Sequence, residues 1–113
     1  MITNASELAY SAADYIAEHG WCQGDLQTPD GRVCLEGAVR MVAFGHTAVI
    51  IDGDPFYSDS RMLTLWQHLQ SVLRQDYPGD RCLGPVAWND EIAASQEDVI
   101  LFLKRAGNDL AES

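Results

Sequence analysis

Three groups of residues in this 113-residue chain have types and spacings that could do chemistry. His19, Cys22, Cys34 and His46 are all acceptable zinc ligands, and the two residues between His19 and Cys22 match a spacing that zinc sites use. The two remaining gaps are long and do not form the paired-ligand signature of a finger. Cys34 also falls in an apolar run, where a free cysteine is commonly just a small hydrophobe. Asp30, Glu36, His46 and Asp90 are the groups a small hydrolase or metal-dependent enzyme would use, because such chemistry needs paired carboxylates or a nucleophile beside a base. The third group is the run "WND", Trp88, Asn89 and Asp90. As a site, it offers an amide and a carboxylate beside an aromatic wall. As a brace, Asn89 and Asp90 accept hydrogen bonds from nearby backbone while Trp88 covers the core and donates its indole N–H. Loops of this composition commonly satisfy their own backbone, which favours the brace.

Other motifs fail on inspection. "VCLEGA" matches the Cys-x-Glu half of a zinc deaminase, but the Pro-Cys-x-x-Cys half is missing, since "RCLGP" supplies Cys82 alone. "DGDPFYSD" gathers Asp52, Asp54 and Asp59. As a calcium loop it would place Phe56, Tyr57 and Leu63 where an EF-hand needs a ligand, a glycine and a glutamate. A turn that exposes its acids is the better account. There is no nucleophile elbow, phosphate-cradling loop or dinucleotide fingerprint, so no cofactor is expected.

Periodicity shows which elements must hold these residues. A helix is expected from Ala5 to His19, capped by Asn4 with Glu7 three places on, buried through Leu8, Ala12, Tyr15 and Ile16, and stopped by Gly20. "TPDG", Thr28 to Gly31, marks a turn in the next loop. "VCLEGAVRMVAFG" is apolar nearly all round and reads as a central helix ended by Gly45, with Cys34 inside it. Near 48–57, "AVII" and "DGDP" suggest at most one short extended segment without a partner strand. Met62, Leu65, Trp66, Leu69, Val72 and Leu73 define a helix from Ser60 to about Gln75, capped by Asp59 or Ser60, with His68 on its solvent side. After a breaker-rich loop and the "WND" loop, a last helix starts at Ser95 with Asp98, places Lys104 and Arg105 in its final turn, and ends at Gly107. The fold class is mainly α: one domain over residues 1–113, a bundle of about four helices with long structured loops.

Composition narrows the function. The formal charge of −10 reflects seventeen acids against seven bases, spread along the chain. Such a field repels phosphate backbones, so direct nucleic-acid binding is not expected. No run reaches the roughly 20 apolar residues that span a bilayer, and the N-terminus lacks the pattern of a signal peptide. Three cysteines cannot close a complete disulfide framework, which fits a reducing cytoplasm.

"GWCQG" at 20–24, "DGRVCLEGAV" at 30–39, "WND" at 88–90 and "SQEDVILFLKRA" at 95–106 occur in that order. This set resembles a family of small uncharacterised proteins of actinobacteria and their bacteriophages, a domain of unknown function. The resemblance implies an α-helical, cytoplasmic domain and assigns no activity. It implies that Trp21, Gly31, Cys34, Ala38, Trp88, Asn89 and Asp90 work as one unit. The leading expectation is a non-enzymatic module that binds another protein, a host factor if the chain is phage-encoded, with Trp66 and an exposed "DPFY" as aromatic anchors. Self-association is an open alternative. The competing expectations are the enzyme reading above and, behind it, a DNA mimic that inhibits a DNA-binding protein.

Overall fold

Helices α1 (Ala5–His19), α2 (Leu35–Phe44), α3 (Ser60–Asp76), α4 (Pro85–Ala87) and α5 (Gln96–Ala111) follow one another in the computed structural model, which describes residues 2–50, 52–80 and 83–112. Four long helices match expectation, and α4 is a fifth, single-turn one. It starts on Pro85, whose missing N–H is no loss at a helix start, and runs into a π-helical turn over Trp88–Ile92. "WND" therefore lies in helical backbone, not in a loop. Cys82 lies outside the described residues, as does Ile51 of the "AVII" run.

The centre of the bundle is α1, not α2 as the apolar pattern suggested. Helices α2, α3 and α5 all pack on it, α5 most extensively. Four of its six buried residues are alanines, Ala5, Ala9, Ala12 and Ala13, so neighbours come close on more than one side; Leu8 and Ile16 fill the gaps. The closest approach is at Gly107, where a Cβ would stand 2.8 Å from the Tyr10 ring. This corrects the expected end of the last helix: α5 continues through Gly107 to Ala111, and the glycine serves packing. Ser6 Oγ donates to Gly107 O at 2.9 Å across the same contact.

The caps of α1, α3 and α5 are local. Asn4 accepts from Glu7 N, Asp59 from Arg61 N and Met62 N, and Ser95 from Asp98 N. Gly20 and Gly45, both at positive φ, close α1 and α2. His68 is not simply solvated, because its Nε2 lies 3.0 Å from Asp109 Oδ2 on α5.

No β-strand forms among the described residues. Extended pairing occurs as isolated bridges of Val33 to Trp21 and to Gln27, within the loop between α1 and α2 rather than near 48–57. The latter region is a turn followed by a 3-10 turn, Pro55–Tyr57. A buried arginine holds it. Arg40 Nε donates to Glu36 at 3.0 Å, and its Nη1 donates to Asp54 Oδ1 at 3.1 Å, with the guanidinium 4.7 Å from the Phe56 ring centroid. The expected exposure of "DPFY" is thus corrected: Asp54 and Phe56 are buried, and of the four only Tyr57 is exposed. Trp66 is half-buried, edge-on to Phe56. The acids of this region are also not all displayed, since Asp59 caps α3 and pairs with Arg61.

The hydrogen bond from Arg40 holds the Asp54 carboxyl below its ordinary range. Burial opposes the Arg40 charge, but hydrogen bonds to Asp54 and Glu36 outweigh it and raise its pKa. A depressed carboxyl contributes stability that is present above its unfolded pKa of about 3.9 and lost as pH falls through the folded value. Asp54→Asn is therefore expected to melt below the wild type at neutral pH, with the gap closing in acid. Paired melting curves from about pH 7 to pH 2 check this, and a pH-independent gap would remove the ion pair from the account.

Candidate functional site

The Trp88–Ile92 turn faces two ways. On its inner side the Asn89 side chain, 1% exposed, uses its whole hydrogen-bonding capacity. Its Oδ1 accepts from Trp21 Nε1 at 2.8 Å and from Leu35 N at 3.1 Å. Its Nδ2 donates to Cys22 O at 3.3 Å and to Asp90 Oδ1 at 2.9 Å. Donors meet the oxygen and acceptors meet the nitrogen, so the network fixes the orientation of the amide. Asp90 Oδ1 also accepts from Gly24 N at 2.9 Å. The π geometry, closed by Ala93 N to Trp88 O, frees carbonyls that a continuing helix would use. Gln23 Nε2 satisfies two of them, Asn89 O at 3.0 Å and Ala93 O at 3.3 Å.

This knot explains where α2 begins. Cys34 is its N-cap rather than an interior residue, and its Sγ accepts from Gly37 N at 3.3 Å. Sulfur is a weak acceptor, so the helix start lacks the usual local oxygen. Asn89 supplies that oxygen from 54 positions away, on Leu35 N. The loop between α1 and α2 lies flush on this helix start: a Cβ at Gly37 would fall 1.9 Å from Leu26 O.

Of the residues implied to act together, Trp21, Cys34, Asn89 and Asp90 meet around this knot. Gly31, at φ +92°, makes the turn that returns the loop to α2, donating to Thr28 O at 2.9 Å. Ala38 is core, and Trp88 packs on Phe102 with ring centroids 4.4 Å apart. The tryptophan that donates its indole to the brace is Trp21. Glu36 belongs instead to the Arg40 cluster.

The catalytic candidates do not converge. Asp90 is tied to Gly24 and Asn89, Glu36 to Arg40, and Asp30 to Arg32 and Thr28, while His46 is exposed beside Phe44. Among the described residues no three His, Cys, Asp or Glu side chains form a group that could hold a metal. His19 stacks on Tyr15, away from any such grouping. Burial raises the Cys22 thiol, with Arg32 opposing, and pushes the Cys34 thiol up to about 11. A raised thiol pKa lowers the thiolate fraction, which does not suit a nucleophile. A cavity of about 120 Å³ lies between Cys34, Asp90, Asp25, Leu26 and Val86; of the four catalytic candidates only Asp90 lines it.

On the other side of the same turn runs a groove of about 350 Å³, lined by Tyr77, Trp88, Ile92, Leu101 and Phe102, with Asp98 and Arg105 at its edge. Trp88 and Phe102 are buried, whereas Ile92 is 40% and Leu101 55% exposed. Sequence reading missed both exposed residues. A signal existed in "VILFL", because a helix cannot bury five consecutive apolar residues on one face, and Leu101 is the one left outside.

Two substitutions test the knot. Gly37→Ala would gain about 1 kcal/mol from helix propensity, yet it is expected to lose on the order of 3 kcal/mol by clashing with Leu26 O. Asn89→Asp turns two donations into repulsions against Cys22 O and Asp90, and is expected to destabilise by about 3–5 kcal/mol at neutral pH. Denaturant unfolding measures both, and a neutral result for either would mean the knot is not structural.

The family model described as "Family of unknown function (DUF6197)" matches residues 2–109. No curated protein and no solved structure matches the chain. No helix among the described residues is long and apolar enough to cross a membrane. The match over nearly the whole chain places this protein in that family of unknown function.

Proposed function

We propose that this protein is a protein-binding module whose contact surface is the groove between the Trp88–Ile92 turn and α5. The observation that carries the reading is the pair Ile92 and Leu101, large apolar side chains left exposed in the lining of a groove that they share with the buried aromatics Trp88 and Phe102. Exposed apolar groups beside buried aromatics are what interface hot spots use. The polar groups of the knot point to the same reading by being occupied. Asn89 has no hydrogen-bonding capacity left for a ligand, and one Asp90 oxygen already accepts two bonds. The groove also differs from the anchors expected from sequence, since Trp66 and Phe56 pack on each other and on the core.

Ile92→Glu and Leu101→Glu change exposed positions and are expected to leave the melting temperature nearly unchanged. Either is expected to weaken partner binding by about tenfold or more, as loss of a hot-spot contact does. Affinity capture with wild type and variants as bait checks this. A partner retained equally by all three proteins would place the interface elsewhere.

A further inference from the structure

We infer that the occupant of the groove is a basic amphipathic helical segment of another protein, its apolar stripe on Trp88, Ile92, Leu101 and Phe102 and its cations on the carboxylates beside them. This rests on the reading of the groove as the contact surface and adds the chemistry of the partner.

The charges beside the groove carry the argument. Glu97 and Asp98 lie one helical turn before Leu101, and Glu91 adjoins Ile92. Lys104 and Arg105 lie one turn after Leu101, but Arg105 Nη1 is already bound to Asp76 Oδ2 at 2.9 Å. Asp98 Oδ2 accepts from Ala94 N at 2.9 Å and forms no ion pair. Among the described residues Glu91, Glu97 and Asp98 are in no ion pair, and the unpaired cations near the lining residues in the chain are Lys104 and Arg74, the latter three residues before Tyr77, so acids outnumber bases there. The formal net charge of −10 extends the same sign over the whole molecule. A second copy of this chain would carry the same net charge of −10, so like-charge repulsion disfavours self-association. Attraction favours a partner with lysines or arginines flanking its apolar residues, and an apolar groove lined by Trp88, Ile92, Leu101 and Phe102 is the kind of surface that takes the apolar stripe of an amphipathic helix.

The probes are three fluorescein-labelled peptides with leucines at helical spacing and the intervening positions filled by lysine, glutamine or glutamate. Binding is read by fluorescence anisotropy with the wild-type protein, Leu101→Glu, and the double variant Glu91→Gln, Glu97→Gln. The expected result is that the lysine peptide binds at least about tenfold more tightly than the glutamate peptide. The double variant is expected to weaken it by roughly threefold per removed carboxylate and to flatten its salt dependence. Leu101→Glu is expected to abolish its binding even though the variant adds a negative charge, which separates seating in the groove from general attraction to an acidic protein. Equal binding of the glutamine and lysine peptides, lost in Leu101→Glu, would overturn the inference about charge and leave the groove standing. Unchanged binding of the lysine peptide by Leu101→Glu, or no binding of any peptide, would overturn the groove reading as well.

Discussion

The carboxamide of Asn89 is the interaction on which the rest of the structure depends. Helix α2 starts at a cysteine cap, and the loop before it folds back on itself through Val33 with no strand to hold it. Neither would be well defined alone. One buried amide reaches the indole of Trp21, the backbone of Cys22 and the first N–H of α2, and so joins the α1–α2 loop, α2 and the Trp88–Ile92 turn. All four of its hydrogen-bonding positions are used, which is the condition under which a buried polar network specifies a structure rather than weakening it. Gly24 and Gln23 complete the arrangement by engaging the Asp90 carboxylate and the carbonyls that the π turn leaves over.

The Arg40 cluster does a related job with charge. Its guanidinium ties α2 to the segment ending in Phe56, which in turn packs on Trp66 of α3. One Asp54 oxygen is buried without a hydrogen-bond partner, so the cluster contributes less to stability than its short contacts suggest. Its clearest effect is positional, since it fixes a segment that has neither helix nor strand to order it. The interior polar and titratable groups are thus committed to holding the fold. What the molecule offers outward beside the Trp88–Ile92 turn is shape and apolar area, with carboxylates next to it.

Much of the fold was legible in the sequence. The limits of α1 and the start of α3 follow from Asn4, Gly20 and Asp59 together with a clean apolar period, because capping and amphipathicity act within a few residues of each other. The same local chemistry places Ser95 at the start of α5. The candidate site was only half legible. "WND" stood out by composition, yet its two faces could not be separated without knowing that the turn is π-helical and that α5 lies against one side of it.

Where expectation and structure part, the reason lies in distant contacts. Gly107 has the local signature of a helix end, but the helix passes through it because Tyr10 of α1 takes the space a side chain would need. Arg40 sits in an apolar run and is buried because Asp54 and Glu36 close around it. Cys34 caps α2 because Asn89 supplies what the thiol lacks. By itself, then, the sequence determined that four long helices form, where most of them begin, and that the chain is acidic, since these depend on short-range chemistry and composition. Tertiary structure alone decided which helix is central, which polar groups are consumed inside and which apolar residues stay outside, since each depends on groups tens of residues apart meeting in space.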